Sequence, residues 1–255
     1  MANNILKMGY VIQKLEYKYP MLRKLSPSLY EWGFGIQLRL RHARFVGRHR
    51  DNIDPLTKES GVTVNILEEY NHVMDRISKA KARLSYPITY AISPAAGLFL
   101  YKTIRIHKPH TVLETGVANG FSTRIILEAL NANKKGVLYS VEINKNVGGL
   151  LIDTDKKRWV LKVGKPRDVF SRTLKRLEKV DIFIHDGWHS YENMMYEFET
   201  VLPKIPKHGL LMSDDITVNN AFEDFYNKLQ FKNKHVKFSF VVSPKGVGAF
   251  GCLTF

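Results

Sequence analysis

From residue 111 onward, short runs of apolar residues alternate with stretches of helical periodicity. Strands buried on both faces read as short apolar runs, and their alternation with helices is typical of β-α-β units and a parallel sheet. We interpret seven runs as strands, at residues 111–115, 136–142, 159–163, 181–185, 209–213, 236–242 and 247–254. A turn signal at residues 243–246 separates the last two runs, so we predict a doubly wound, mostly parallel seven-stranded α/β sheet that ends in an antiparallel hairpin.

The N-terminal part of the chain is predicted to be helical and basic. Apolar residues recur at helical spacing in two stretches, at Ile66, Tyr70, Val73, Met74 and Ile77 and, after Ser93-Pro94, at Leu98, Tyr101 and Ile104. Most of the net charge of +15 comes from residues 1–110, which contain 18 Lys and Arg against 8 Asp and Glu. We therefore predict a basic helical extension over residues 1–90 that packs on a domain over residues 91–255.

Composition argues against several classes of protein. The chain of 255 residues is 44% hydrophobic and 25% charged, which is ordinary for a globular protein and far from a disordered one. It contains no run of about 18 to 20 apolar residues and begins without the apolar stretch of a signal peptide, so we expect neither a transmembrane nor a secreted protein. The single cysteine, Cys252, fits a reducing compartment, and we expect the cytoplasm.

A strand-to-helix junction at residues 113–123, Leu-Glu-Thr-Gly-Val-Ala-Asn-Gly-Phe-Ser-Thr, is the strongest local signal. Gly116 allows a tight turn close to a ligand, and the amides that open the next helix can receive a carboxylate. The acid Glu114 suits an ammonium group, and Glu142 ends the second strand, where an acid reaches ribose hydroxyls in dinucleotide-type folds. An amino acid moiety plus ribose indicates S-adenosylmethionine. The alternative is a strand-to-helix turn without a ligand.

At these residues the chain resembles the class I S-adenosylmethionine-dependent methyltransferases, whose first motif has an acid, one residue and then glycines. The middle glycine of the usual pattern is Ala118 here. The resemblance implies a Rossmann-like fold and places the cofactor against Glu114, Gly116, Gly120, Ser122, Thr123, Glu142, Asp186 and Trp188. Trp188 is expected to stack on the adenine or to form a wall of the substrate pocket, or alternatively to pack under the following helix.

A second pair of motifs lies at residues 184–192 and 211–216. Asp186 follows the fourth strand, and Asp214 and Asp215 follow the fifth. Neighbouring strands lie about 4.8 Å apart, so the three carboxylates can converge on one crevice. A hard divalent cation would remove their repulsion, and we predict Mg²⁺. The alternative is that the paired aspartates cap the next helix.

These two motifs are similar to those of metal-dependent O-methyltransferases of the catechol and macrocin O-methyltransferase type, over about residues 93–255. The resemblance implies that Asp186, Asp214 and Asp215 bind the metal. His189 lies three residues after the first metal-binding Asp, where the catechol enzymes have a lysine base and the sugar-modifying relatives a histidine. An imidazole can accept a hydroxyl proton near neutral pH. The alternative for His189 is a hydrogen-bonding role at the helix start, beside Ser190.

Together these features predict an S-adenosylmethionine-dependent O-methyltransferase that acts with Mg²⁺ on a hydroxyl of a sugar or phenolic natural product, with Asp186 and His189 as catalytic residues. One alternative is an RNA methyltransferase that holds RNA with the arginine-rich residues 39–50, and another is a noncatalytic cofactor-binding protein. The expected partners are a small-molecule substrate and further copies of the same chain, with nucleic acid less favoured.

Overall fold

In a computed structural model of the chain, residues 27–54, 62–80, 84–87, 90–153, 155–232, 235–242 and 248–255 are described. The turn predicted at residues 243–246 and the first 26 residues of the predicted extension lie outside these ranges. The described residues contain seven strands, which is the predicted number.

One mixed sheet forms the centre of the fold. Its strands are β1 (Thr111–Thr115), β2 (Val137–Glu142), β3 (Trp159–Val163), β4 (Ile182–His185), β5 (Leu210–Ser213), β6 (Lys237–Val242) and β7 (Ala249–Thr254). They are ordered β3-β2-β1-β4-β5-β7-β6, the first five in parallel and β7 antiparallel to both β5 and β6. This confirms the predicted doubly wound sheet with a terminal hairpin. Because the strand order reverses between β1 and β4, a ligand crevice is expected at the carboxyl ends of these strands.

Helices cover both faces of the sheet. They are α1 (Pro27–Arg48), α2 (Val62–Ser78), α3 (Pro94–His107), α4 (Phe121–Ala132), α5 (Pro166–Arg176), α6 (Tyr191–Val201) and α7 (Ala221–Phe231). Helix α3 begins at the predicted signal, since Ser93 Oγ accepts a hydrogen bond from the amide of Ala96 at 3.2 Å and Pro94 occupies the first turn. Among the described helices, none combines the length and apolar character needed to cross a membrane.

Successive residues of each central strand point to opposite faces of the sheet. Val112 of β1 therefore packs into a cluster with α2, α3 and α4, whereas Leu113 packs into a second cluster with α5, α6 and α7. All four residues of β4 are buried, and β4 pairs with β1 on one side and β5 on the other. The carboxyl ends of β1, β4 and β5 consequently lie side by side at the centre of the molecule.

The N-terminal helices belong to the same hydrophobic clusters as the sheet. Phe45 of α1 is buried, and its ring centroid lies 5.9 Å from that of Phe238 and 5.4 Å from that of Phe240. Tyr70 of α2 is buried in the cluster on the other face, and its hydroxyl donates to the carbonyl of Pro94 at 3.0 Å. Helices α1 and α2 are thus integral to the packing of the sheet on its two faces.

Candidate active site

The turn after β1 lies directly against the turn after β4. Gly116 has a φ of +85°, and a Cβ atom built on it would lie 2.1 Å from the carbonyl oxygen of Asp186. Only glycine tolerates both the left-handed backbone and this approach. The predicted cofactor loop and Asp186 of the predicted metal site are therefore in contact at Gly116.

The rest of the loop uses left-handed conformations as well. Gly120, at the start of α4, has a φ of +84°, and a Cβ atom there would lie 2.9 Å from Gly148 Cα. Ala118 has a φ of 47°, although it carries a side chain. Such a backbone costs a residue other than glycine about 1–2 kcal/mol, which explains physically why glycine is usual at this position.

Glu114 is fully buried beneath this loop. Its carboxylate accepts hydrogen bonds from the hydroxyls of Ser122 at 2.9 Å, Thr123 at 2.9 Å and Ser140 at 2.8 Å. Burial raises the pKa of Glu114 to about 7, against the opposing effect of these three hydroxyls. Glu114, Ser122 and Thr123 thus form one internal network that supports the start of α4, and direct contact of Glu114 with a ligand ammonium stays a prediction.

Glu142 lies at the end of β2, as predicted, and its carboxylate is aimed at backbone amides. One oxygen accepts from the amides of Val117 at 3.0 Å and Ala118 at 3.4 Å, and the other from Ile143 at 2.6 Å and Asn144 at 3.3 Å. The carboxylate is therefore held at the rim of the loop, between β1 and β2, where a ribose is expected in this type of fold.

Asn119 is a site residue that our sequence analysis missed. Its side-chain oxygen accepts from the amides of Ser85 and Tyr86, both at 3.0 Å, and its side-chain nitrogen donates to the carbonyl of Tyr86 at 2.8 Å. The Tyr86 hydroxyl in turn accepts from Asn144 at 3.1 Å. These hydrogen bonds hold residues 84–87 against the loop that follows β1. The only local signal was an amide side chain inside a glycine motif, which does not indicate its partner.

Beyond β4 and β5, acidic side chains converge with a histidine. One ligand atom each from Asp186, Asp214 and His189 lie within 4.8 Å of one another. The pKa of Asp186 is raised well above its usual range by burial and by the charge of Asp214, and burial with the charge of Asp215 raises the pKa of Asp214 to about 8. Close, half-buried carboxylates of this kind are stabilised by a proton or a cation.

Asp215 is not a member of this group. It has a φ of 48°, and a Cβ atom built on Gly248 would lie 3.0 Å from its Oδ1 atom. The paired aspartates do not cap α7 either, because its N-cap position is Asn220 and the side chain of Asn219 accepts from the amide of Ala221 at 2.7 Å. The structure thus brings together two of the three predicted metal ligands and adds His189 to them.

The surroundings of the half-buried His189 favour its neutral form. Burial and the neighbouring His185 lower its pKa to about 3, and its Nε2 atom is buried without a hydrogen-bond partner among the described residues. The helix-start role belongs to Ser190, whose hydroxyl accepts from the amide of Asn193 at 3.2 Å. The loop after β5 fixes the backbone of His189, since Asn219 donates to its carbonyl at 3.0 Å.

A buried polar network lies behind this histidine. His185 is fully buried and its Nδ1 atom lies 2.7 Å from a carboxylate oxygen of Glu197, which also accepts from Thr115 at 2.7 Å. The His185 ring contacts that of His189 edge to face, with centroids 5.0 Å apart. Trp188, in contrast, is 73% exposed, which rules out the alternative that it packs under α6.

Comparisons with known proteins agree with this geometry. Residues 113–216 match a family model described as a methyltransferase domain. The O-methyltransferase from Bacillus cereus in complex with SAH is similar, with a TM-score of 0.55 at 18% identity over 74% of this chain and 91% of that one. The O-methyltransferase TomG from Streptomyces achromogenes, involved in tomaymycin synthesis and solved with SAM, has a TM-score of 0.54 at 16% identity over 84% and 94%. A search of curated proteins found no match.

The matched residues include both motifs on which the predicted resemblance depends, from the strand that carries Glu114 to the aspartates after β5. The strand order and the terminal hairpin agree with the same resemblance. The chain therefore has the fold of the class I methyltransferases, and residues 113–216 match a methyltransferase domain.

Proposed function

We propose that the protein transfers the methyl group of S-adenosylmethionine to a hydroxyl oxygen of a small molecule, aided by a divalent cation. The observation that carries this proposal is the junction at Gly116, where the loop bordered by Glu142 touches the backbone of Asp186. A cofactor loop and an acidic cluster thus share one edge of the sheet. The similar proteins from Bacillus cereus and Streptomyces achromogenes, an O-methyltransferase with SAH and one with SAM, support the donor and the acceptor atom.

The cofactor is proposed to lie along residues 116–120. Gly116 and Gly120 let the backbone approach it closely, and Glu142 would exchange part of its amide contacts for the ribose hydroxyls. Glu114 supports the loop from beneath. The exposed ring of Trp188 is proposed to stack on the adenine or to form a wall of the acceptor pocket. Bound S-adenosylmethionine supplies an electrophilic methyl group for in-line displacement by the acceptor oxygen.

Asp186 and Asp214 are proposed to hold the divalent cation, for which the resemblance implies Mg²⁺. Their raised pKa values and the unpartnered Nε2 atom of His189 fit a cation at this point. When bound, such an ion orients the acceptor oxygen and favours its deprotonated form. A sugar or a phenol offers the hydroxyl groups that this chemistry requires.

RNA methylation is a second candidate, favoured only by exposed basic side chains such as Arg39 and Arg44 of α1. Other basic side chains of this stretch are used within the fold. Arg48 donates to Glu223 at 2.7 Å, and His49 contacts the same carboxylate at 3.1 Å. Since these contacts explain part of the basic stretch without a nucleic acid, we rank the small-molecule substrate first.

The test is methyl transfer from labelled S-adenosylmethionine to a panel of hydroxylated sugars and phenols, with and without EDTA. We expect transfer to an oxygen atom that EDTA abolishes and a divalent cation restores. Asp214→Asn should lose transfer but keep cofactor affinity, whereas Asp75→Asn, an exposed aspartate on α2, should behave as wild type. Failure of S-adenosylmethionine to bind in calorimetry would overturn the proposal, and full transfer in EDTA would remove the cation from it.

A further inference from the structure

The group formed by Asp186, Asp214 and His189 is a mixed oxygen and nitrogen donor set. Ligand atoms bound to one ion at about 2.0–2.2 Å can lie up to about 4.4 Å apart, when they are on opposite sides of it. The three donor atoms all lie within 4.8 Å of one another, so small side-chain rotations bring them into one coordination shell. Asp215 is not part of this set, although the resemblance implies that it binds the metal.

The His189 ring leaves its Nε2 atom unused within the fold. This atom is buried and has no hydrogen-bond partner among the described residues. An unpaired buried nitrogen is unfavourable, and a bound ion would satisfy it. The position of His189 is also fixed in advance. Its ring contacts that of His185 edge to face, with centroids 5.0 Å apart, and its backbone carbonyl accepts a hydrogen bond from Asn219.

We infer that His189 is a metal ligand together with Asp186 and Asp214, and that the site is therefore built for a transition ion that accepts imidazole, such as Zn²⁺, Co²⁺ or Fe²⁺, rather than for Mg²⁺. Magnesium prefers oxygen ligands and water, whereas imidazole suits zinc, iron and nickel. This inference rests on the proposed cation site and gives His189 a role different from the general base that the resemblance implies. A base must reach the acceptor hydroxyl, but Nε2 of His189 is covered, and a ring nitrogen of His189 lies within 4.8 Å of a carboxylate oxygen of each aspartate.

The first test reads the ligand atom directly, without any variant. The full-length protein is loaded with Mn²⁺ as a magnetic probe and examined by pulsed electron paramagnetic resonance. We expect a coupling from a directly bound imidazole nitrogen. The absorption spectrum of the same protein loaded with Co²⁺ should also indicate a nitrogen ligand to the ion. An all-oxygen spectrum with both ions would overturn the inference, while leaving the proposed methyl transfer in place.

The second test compares ions and variants by calorimetry. Removing His189 with His189→Ala should weaken Co²⁺ and Zn²⁺ binding by about 10- to 100-fold or more and abolish the nitrogen coupling, but should change Mg²⁺ binding little. His72→Ala, an exposed histidine on α2, is the matched control and should keep all three affinities. Circular dichroism checks that each variant is folded.

The outcomes separate the two proposals. Unchanged Co²⁺ affinity in His189→Ala, or an equal loss for Mg²⁺ and Co²⁺, overturns the ligand role of His189 alone. If no divalent ion binds while S-adenosylmethionine still does, both the ligand role and the proposed cation step fall, and methyl transfer without a metal remains. If the variant does not fold, the nitrogen coupling in the wild-type protein decides the question.

Discussion

Replacing Gly116 with alanine perturbs the junction between the cofactor loop and the candidate metal site. The added Cβ atom would lie 2.1 Å from the carbonyl oxygen of Asp186, 2.6 Å from its carbonyl carbon and 2.9 Å from Gly187 Cα. All three obstacles are backbone atoms, so no side chain can rotate away to make room. Either the turn after β1 or the turn after β4 must move.

The expected loss of stability combines two contributions. A φ of +85° costs an alanine about 1–2 kcal/mol, and overpacking typically adds about 1–3 kcal/mol. We therefore expect Gly116→Ala to lower the free energy of unfolding by about 2–5 kcal/mol. Gly187→Ala is the matched control on the other side of the same contact. Its Cβ atom would lie 3.6 Å from the nearest atoms, both of Thr115, and we expect a change within about 1 kcal/mol.

Urea unfolding followed by circular dichroism measures both variants, with the midpoint and slope giving the free energy of unfolding. Calorimetry with S-adenosylmethionine should show weaker binding for Gly116→Ala, because the loop that it perturbs is the proposed cofactor site. If Gly116→Ala lost less than about 1 kcal/mol, or if Gly187→Ala were equally destabilised, the close approach of the two turns would not be the constraint that we describe.

Four further predictions address the cofactor loop and the charge of the chain. Glu142→Ala should weaken S-adenosylmethionine binding by about 1–3 kcal/mol, and unchanged affinity in calorimetry would remove the ribose assignment. Ala118→Gly should relieve the left-handed strain and raise the free energy of unfolding by up to about 1 kcal/mol in urea, whereas a loss would contradict that strain. The pKa of Glu114 rises from 4.5 to about 7 on folding, so the folded state binds more protons and this residue makes stability fall as pH rises across that range. Glu114→Gln should therefore gain stability relative to wild type between pH 5 and pH 8 in pH-dependent unfolding, and a constant difference would count against the buried position. Any RNA binding should be weak and fall steeply with salt in a titration, and a tight complex at physiological salt would place RNA methylation first.

The sequence by itself determined the order of the elements and the place where the two motifs meet. Each apolar run predicted a strand to within two residues of its observed ends, because strands buried on both faces require continuous apolar side chains. Neighbouring parallel strands end at the same edge of a sheet. The assignment of β4 and β5 therefore predicted that Asp186 and Asp214 lie close together. Gly116 was identified from a local pattern, because a tight turn between a strand and a helix favours glycine.

Only the tertiary structure decided which atoms face one another. Glu114 lies on the face of β1 that α4 covers, so its partners are three hydroxyls. His189 joins the two aspartates from the start of α6, while Asp215 is left outside the group. Asn119 contacts the backbone of Tyr86, 33 residues away in the sequence. Periodicity reports burial along one element, whereas these contacts depend on loop dihedral angles and on the packing of elements that are distant along the chain, and no local pattern contains that information.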